Sequence, residues 1–170
     1  MSVTEHQFLG TNPGASRAVS LESFAAEISA RAVGDRIVVA IVGPAGSGKS
    51  TTTAVLETAL VDQHALKVQV VPMDGFHYDN AVLEQLGLTK RKGAPETFDV
   101  SGLEATLKRL TGPDQIEDVT VPVFDRDIDL SRAGARLIGR ETSVLLVEGN
   151  YLLMGNGPGQ TSGSISTCPQ

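Results

Sequence analysis

Eight consecutive residues carry the clearest chemistry in this sequence: Gly43, Pro44, Ala45, Gly46, Ser47, Gly48, Lys49 and Ser50, followed by Thr51. They match G-x-x-x-x-G-K-[ST] completely. Glycines at these spacings let backbone amides wrap around phosphate oxygens, and the amino end of a following helix adds a positive field. Lys49 is then placed to reach the β- and γ-phosphates of a nucleoside triphosphate, and the Ser50 hydroxyl to ligate magnesium. A phosphate cradle alone does not separate kinases from GTPases, motors or switches, because all of them use it. No Asn-Lys-x-Asp segment of the kind that reads guanine occurs in the chain, which disfavours a GTPase.

Two carboxylates narrow the choice. Both sit where predicted strands end: Asp74 after 68–73, and Glu148 after 144–147. At the carboxyl ends of parallel strands both would face the crevice beside the phosphate loop. One could hold magnesium through water and the other take a proton from an acceptor hydroxyl. Taken singly, each has a structural alternative: Asp-Gly is a common turn pair, and an acidic residue often merely ends a strand.

The elements that must position these groups are legible. Residues 37–42 form an unbroken apolar run rich in β-branched residues, expected to be a central parallel strand covered by helices on both faces, and the glycines follow at once. A helical pattern from 49 to about 61 and a strand at 67–71 complete a strand, loop, helix, strand unit. Leu21, Phe24, Ala25, Ile28 and Ala32 recur at helical spacing between a capping Ser20 and a stopping Gly34. Ser101 and Glu104 have capping-box spacing ahead of Leu103, Leu107 and Leu110, and Gly112-Pro113 ends that pattern. Residues 119–124 are strand-like, but Pro122 removes a ladder donor and pushes them towards an edge. Residues 143–147 are the last strand. The alternation predicts an α/β, three-layer P-loop NTPase fold with a mostly parallel sheet.

Bulk properties agree with a small-ligand protein. A chain of 170 residues suffices for one domain with a hydrophobic core. Its net charge of -6 argues against broad nucleic-acid binding, and no apolar run approaches the roughly 20 residues of a membrane span. A single cysteine, Cys168, excludes an internal disulfide and, with no signal-peptide pattern in residues 1–20, fits a reducing cytoplasm. The expected organisation is a flexible leader at 1–20, one domain at 21–154 and a disordered Gly/Ser/Thr/Pro tail at 155–170.

Read together, five segments resemble the P-loop small-molecule kinases of the uridine kinase, pantothenate kinase and phosphoribulokinase group, and in particular bacterial nucleoside/nucleotide kinase family proteins, some of them associated with fructose transport. The segments are GPAGSGKST at 43–51, PMDGFHY at 72–78, RKGAPETFD at 91–99, VPVFDR at 121–126 and VEGNY at 147–151. The resemblance spans residues 33–154. It implies ATP and magnesium as cofactors, with Asp74 as general base on the acceptor hydroxyl. Glu148 takes the place of the acidic residue ending the Walker B strand, ligating metal together with Ser50. Arg91, Lys92, Asp125, Arg126 and Arg132 would border the acceptor site, where a cation holds an anionic substrate or neutralises transferring phosphate. His77 and Tyr78 would line the acceptor pocket, against the alternatives of an ordinary packed histidine and, for Lys90, Arg91 and Lys92, a solvated basic patch. Expected partners are therefore a nucleoside triphosphate and a small-molecule acceptor, with a second copy of the chain a further candidate. Relatives of this kind continue past the Glu-Gly-Asn-Tyr segment through further strands and an arginine-bearing lid. The sequence passes instead from Met154 into the low-complexity tail. On that basis it predicts absent carboxyl-terminal strands, weak nucleotide binding and impaired turnover. A nucleotide-binding module without turnover is the alternative reading.

Overall fold

The computed structural model describes residues 6–9, 16–34, 36–112 and 117–153. The expected tail at 155–170, Met154, Cys168 and Pro113 lie outside the described residues. Within the expected leader, β1 (His6–Leu9) and β2 (Ser16–Val19) pair as an antiparallel hairpin. The remaining elements, in order, are α1 (Leu21–Arg31), β3 (Ile37–Val42), α2 (Lys49–His64), β4 (Val68–Pro72), α3 (Asn80–Gln85), α4 (Val100–Thr111), β5 (Val119–Asp125), β6 (Leu130–Ile138) and β7 (Val144–Gly149).

β3, β7 and β4 form a wholly parallel sheet in that order, with Ile37 and Val68 both paired to Val144. Among the described strands β7 is therefore the central one, which corrects the expectation for β3. The pattern explains why: Val144, Leu145, Leu146 and Val147 are all buried, whereas Ala40 and Val42 of β3 are exposed. Successive side chains of β7 enter opposite cores. Val144 and Leu146 pack with Ala25, Ile28, Leu56 and Leu60 of α1 and α2. Leu145 and Val147 pack with Phe76, Phe98, Leu103, Leu110 and Val121 on the other face. Burying each such side chain stabilises the fold by roughly 1.5–3 kcal/mol, so β7 is the structural axis of the site it ends in.

Ser20 caps α1 as expected, its hydroxyl accepting from the Ser23 amide at 3.2 Å. The helix stops at Ala32, however, and Gly34 adopts a left-handed φ of 96° two residues later. α2 runs to His64, three residues past the expected end at 61. α4 is capped by Asp99 rather than by Ser101, because the Asp99 carboxylate accepts from both the Gly102 amide and the Ser101 hydroxyl at 2.8 Å. A carboxylate that takes two donors outcompetes a hydroxyl for the cap.

Besides the β1–β2 hairpin, α3 and β6 have no counterpart in the elements expected from sequence. β5 pairs antiparallel with β6 outside the main sheet, with an irregularity between Val121 and Val123. That irregularity falls on Pro122, in keeping with its edge assignment. Arg36, just before β3, closes the base of the molecule: its guanidinium donates to the carbonyls of Leu110 (2.6 Å), Thr142 (2.8 Å), Arg140 (2.9 Å) and Gly139 (3.1 Å). Burial pulls this guanidinium below its ordinary pKa, and Glu141 opposes the shift.

Candidate active site

The site is assembled at the carboxyl ends of the three parallel strands. β3 delivers Gly43 one residue past Val42, which is paired to Gly149, so the phosphate loop springs from the level at which β7 presents Glu148. Pro72 of β4 is also paired to Glu148, which sets Asp74 just above the same edge. Register alone thus gathers three sequence-distant groups.

The loop has the backbone that its glycines permit. Gly46 and Gly48 sit at φ 76° and 83°, and Gly48 immediately precedes the first turn of α2. The amides of that turn have no intrahelical acceptor and face the loop's concavity. A Cβ on Gly43 would meet the Ser47 hydroxyl at 2.8 Å, so a side chain there would crowd the cradle. Lys49 Nζ reaches across to the Pro44 carbonyl at 2.9 Å, spanning the loop it serves. Pro44, Ala45, Ser47 and Thr51 are exposed around it.

Ser50 Oγ donates to Glu148 Oε1 at 2.6 Å, joining the end of β7 to the start of α2. A hydroxyl and a carboxylate in contact form a set of hard oxygen donors that suits magnesium. Beside them opens a cleft of about 370 Å³ lined by Ser50, Thr53, Glu57, Gln69, Arg136 and Glu148.

Asp74 lies in a single 3₁₀ turn, Met73–Phe76, directly after β4. Two glycines hold this turn against its neighbours. A Cβ on Gly149 would stand 2.8 Å from Met73, and one on Gly75 would stand 2.3 Å from the Pro122 carbonyl oxygen. The half-exposed Asp74 carboxylate is met by Arg126 Nη2 at 3.5 Å.

The expected acceptor-side residues divide. Arg126 reaches Asp74, and Arg132 pairs with Asp125 at 3.1 Å on the same hairpin. His77 Nδ1 contacts the Asp74 carbonyl at 2.9 Å, and its ring lies 3.9 Å from that of Phe98 and 5.1 Å from that of Phe124. His77 is a packed aromatic as well as a neighbour of Asp74. The Tyr78 amide donates to the Thr97 carbonyl at 3.0 Å. Arg91 is largely exposed and bonds Glu96 on its own loop. The Glu96 carboxyl is held below the ordinary carboxylate range first by its own backbone amide and then by Arg91. Lys92 turns instead to Asn80 and Asp129, and the Asp129 carboxyl is lowered chiefly by the Lys92 hydrogen bond.

Asn80, Asp129 and Arg136 were not singled out from sequence. Arg136 Nη1 donates to the Val70 carbonyl at 2.6 Å, tying β6 to the outer side of β4. Only topology reveals it: a lone arginine in an unforeseen strand carries no local signature.

A structure from Silicibacter, a candidate fructose transport system kinase, superposes with a TM-score of 0.70 at 43% identity, covering 79% of this chain and 65% of that one. The chain is a relative of the P-loop small-molecule kinases. Pantothenate kinase of Coxiella burnetii is 35% identical over 121 residues, and a candidate uridine kinase of Schizosaccharomyces pombe is 32% identical over 128. Those matches take in 69% and 72% of this P-loop kinase relative and 37% and 54% of the respective proteins, so the chain spans about a third to a half of the length of such curated relatives. No family model matches the chain. Among the described residues, no helix is long and apolar enough to cross a membrane.

Proposed function

We propose that this chain binds ATP with magnesium and transfers the terminal phosphoryl group to a hydroxyl of a small metabolite. The observation that carries the proposal is the Ser50–Glu148 contact at 2.6 Å beside the phosphate loop, with Asp74 at the end of the adjoining strand. The relatives named above, described as kinases for pantothenate, uridine or fructose transport, support the same reaction class and leave the acceptor open among such compounds.

On this reading the loop amides and Lys49 bind and orient the β- and γ-phosphates. Ser50 and Glu148 hold magnesium, which when bound supplies charge neutralisation on the polyphosphate. Asp74 accepts the proton of the acceptor hydroxyl as its oxygen attacks the γ-phosphorus and the bond to the β–γ bridging oxygen breaks. Arg126, released from Asp74, can balance charge on the transferred group. His77, Tyr78, Arg91, Asp125 and Arg132 frame the acceptor. Catalysis is mainly positioning and electrostatics.

The test is ADP release from ATP and magnesium with uridine, pantothenate and fructose as acceptors, run on the wild-type chain and Asp74→Asn. We expect the variant to keep nucleotide affinity and lose roughly 10²–10⁴-fold in transfer, the usual weight of general-base catalysis. Equal turnover by both would remove Asp74 from the chemistry. Nucleotide binding with no turnover in either would mark the chain as a binding module.

A further inference from the structure

Lys92 lies among the acceptor-side cations, yet its environment differs from theirs. Its side chain is only 19% exposed, against 63% for Arg91 and 80% for Arg126. An ammonium has three N–H donors. All three find acceptors here: Asn80 Oδ1 at 2.6 Å, the Asp129 carbonyl at 2.7 Å and Asp129 Oδ2 at 2.8 Å. The Phe124 ring lies beneath at 5.3 Å, within cation–π range.

These partners come from separate elements. Asn80 begins α3, and Asp129 belongs to the turn between β5 and β6. Asp129 stands at φ 53°, a left-handed conformation unfavourable for a side-chain-bearing residue, and Lys92 grips both its carbonyl and its carboxylate. Three residues earlier in that turn is Arg126, whose guanidinium meets Asp74. A cation whose donors are spent inside the protein has none left for an acceptor, but it can fix the loop on which another cation rides.

We infer that Lys92 is a positioning residue, which pins the β5–β6 turn through Asp129 and so sets where Arg126 stands against Asp74. The inference rests on the kinase reading above for its catalytic consequence, though not for its structural one. Lys92 then acts on transfer through the hairpin and not by touching the acceptor.

The experiment compares Lys92→Met, Asp129→Asn and the double variant in the transfer assay, with nucleotide affinity measured separately. Displacement of the turn by about 1 Å should lower transfer on the order of 10²-fold. Nucleotide affinity should stay within about twofold of wild type, since each 1.4 kcal/mol is tenfold and no cradle contact is lost. Asp129→Asn should reproduce most of the Lys92→Met loss, and the double variant should be no worse than Lys92→Met. Full transfer loss in Lys92→Met with Asp129→Asn silent would overturn the inference, because Lys92 would then be touching the acceptor. Should the wild type transfer to no acceptor, the kinase reading fails and amide hydrogen exchange decides the inference alone. Lys92→Met must then speed exchange across residues 125–130 at least about tenfold while leaving α4 unchanged. Unaltered protection of that turn would refute it.

Discussion

Adding one methyl group at Gly75 should separate the two halves of the site. A Cβ there would stand 2.3 Å from the Pro122 carbonyl oxygen, 2.7 Å from its carbon and 3.1 Å from the Val123 nitrogen, all of them backbone. No side chain can rotate away, so the hairpin or the Asp74 turn must retreat by roughly 1 Å to restore ordinary contact. Overpacking of this kind costs about 1–3 kcal/mol, which for a chain of this size lowers Tm by roughly 2–12 °C. If Asp74 is the base proposed above, a 1 Å displacement between it and the hairpin should lower transfer on the order of 10²-fold. The atoms that a Cβ on Gly75 would meet first belong to Pro122 and Val123 and not to the phosphate loop or the Ser50–Glu148 pair, so magnesium-dependent nucleotide affinity should be preserved. The assays are calorimetry with a nucleotide titration and ADP release at saturating ATP. Wild-type Tm and turnover in Gly75→Ala would refute the idea that this glycine sets the hairpin's distance from Asp74.

Ser50→Ala removes the hydroxyl that contacts Glu148 at 2.6 Å, and hydrogen bonds to charged groups are worth roughly 1.5–3 kcal/mol. Nucleotide affinity should fall about 10–100-fold in magnesium and little in chelator, and an unchanged magnesium requirement would count against the assignment. Arg36→Met strips donors from four carbonyls, those of Leu110, Gly139, Arg140 and Thr142. The Gly139 carbonyl keeps the Thr142 amide, but leaving buried acceptors among the others unsatisfied should cost about 1–3 kcal/mol, seen as a lower Tm with nucleotide affinity retained in the folded protein, and an unaltered melting curve would refute it.

How far the sequence discloses this site follows from the range of the forces involved. The phosphate loop is local: glycine spacing dictates the turn, the turn dictates the helix start, and Lys49 and Ser50 follow by neighbourhood. Asp74 and Glu148 are legible because a parallel sheet sends every strand's carboxyl end to one edge, whatever the sequence separation. The apolar run of β3 reads as central because apolarity reports burial and not neighbours, whereas among the described strands the four buried residues of β7 occupy that place. Asp99 displaced Ser101 as cap through a carboxylate geometry that residue preference alone does not convey. Lys92 reads as a free cation in sequence, since Asp129 lies 37 positions away in a hairpin whose second strand runs through four consecutive exposed residues, 132–135, and so carries weak periodicity.

The two halves of the site are held by forces of different strength, and that difference bears on how they would work. Lys49 and Ser50 are fixed by a helix start and Glu148 by β7, a strand buried on both faces, so this half of the site is organised by the core itself. Asp74 and Arg126 meet at 3.5 Å between side chains 39% and 80% exposed, and Arg132 and Asp125 meet at 3.1 Å where 56% and 25% of each is exposed. Pairs so exposed contribute about 0–1 kcal/mol, well below what burying one large apolar side chain supplies. On the proposed reading, an acceptor hydroxyl that displaces Arg126 from Asp74 therefore forfeits little. The hairpin that carries Arg126 must then be held by something firmer than those pairs. Pro122 against Gly75, Arg136 on the Val70 carbonyl and the three-way grip of Lys92 supply that hold, which is why substitutions at such sites should depress transfer more than loss of any single surface ion pair.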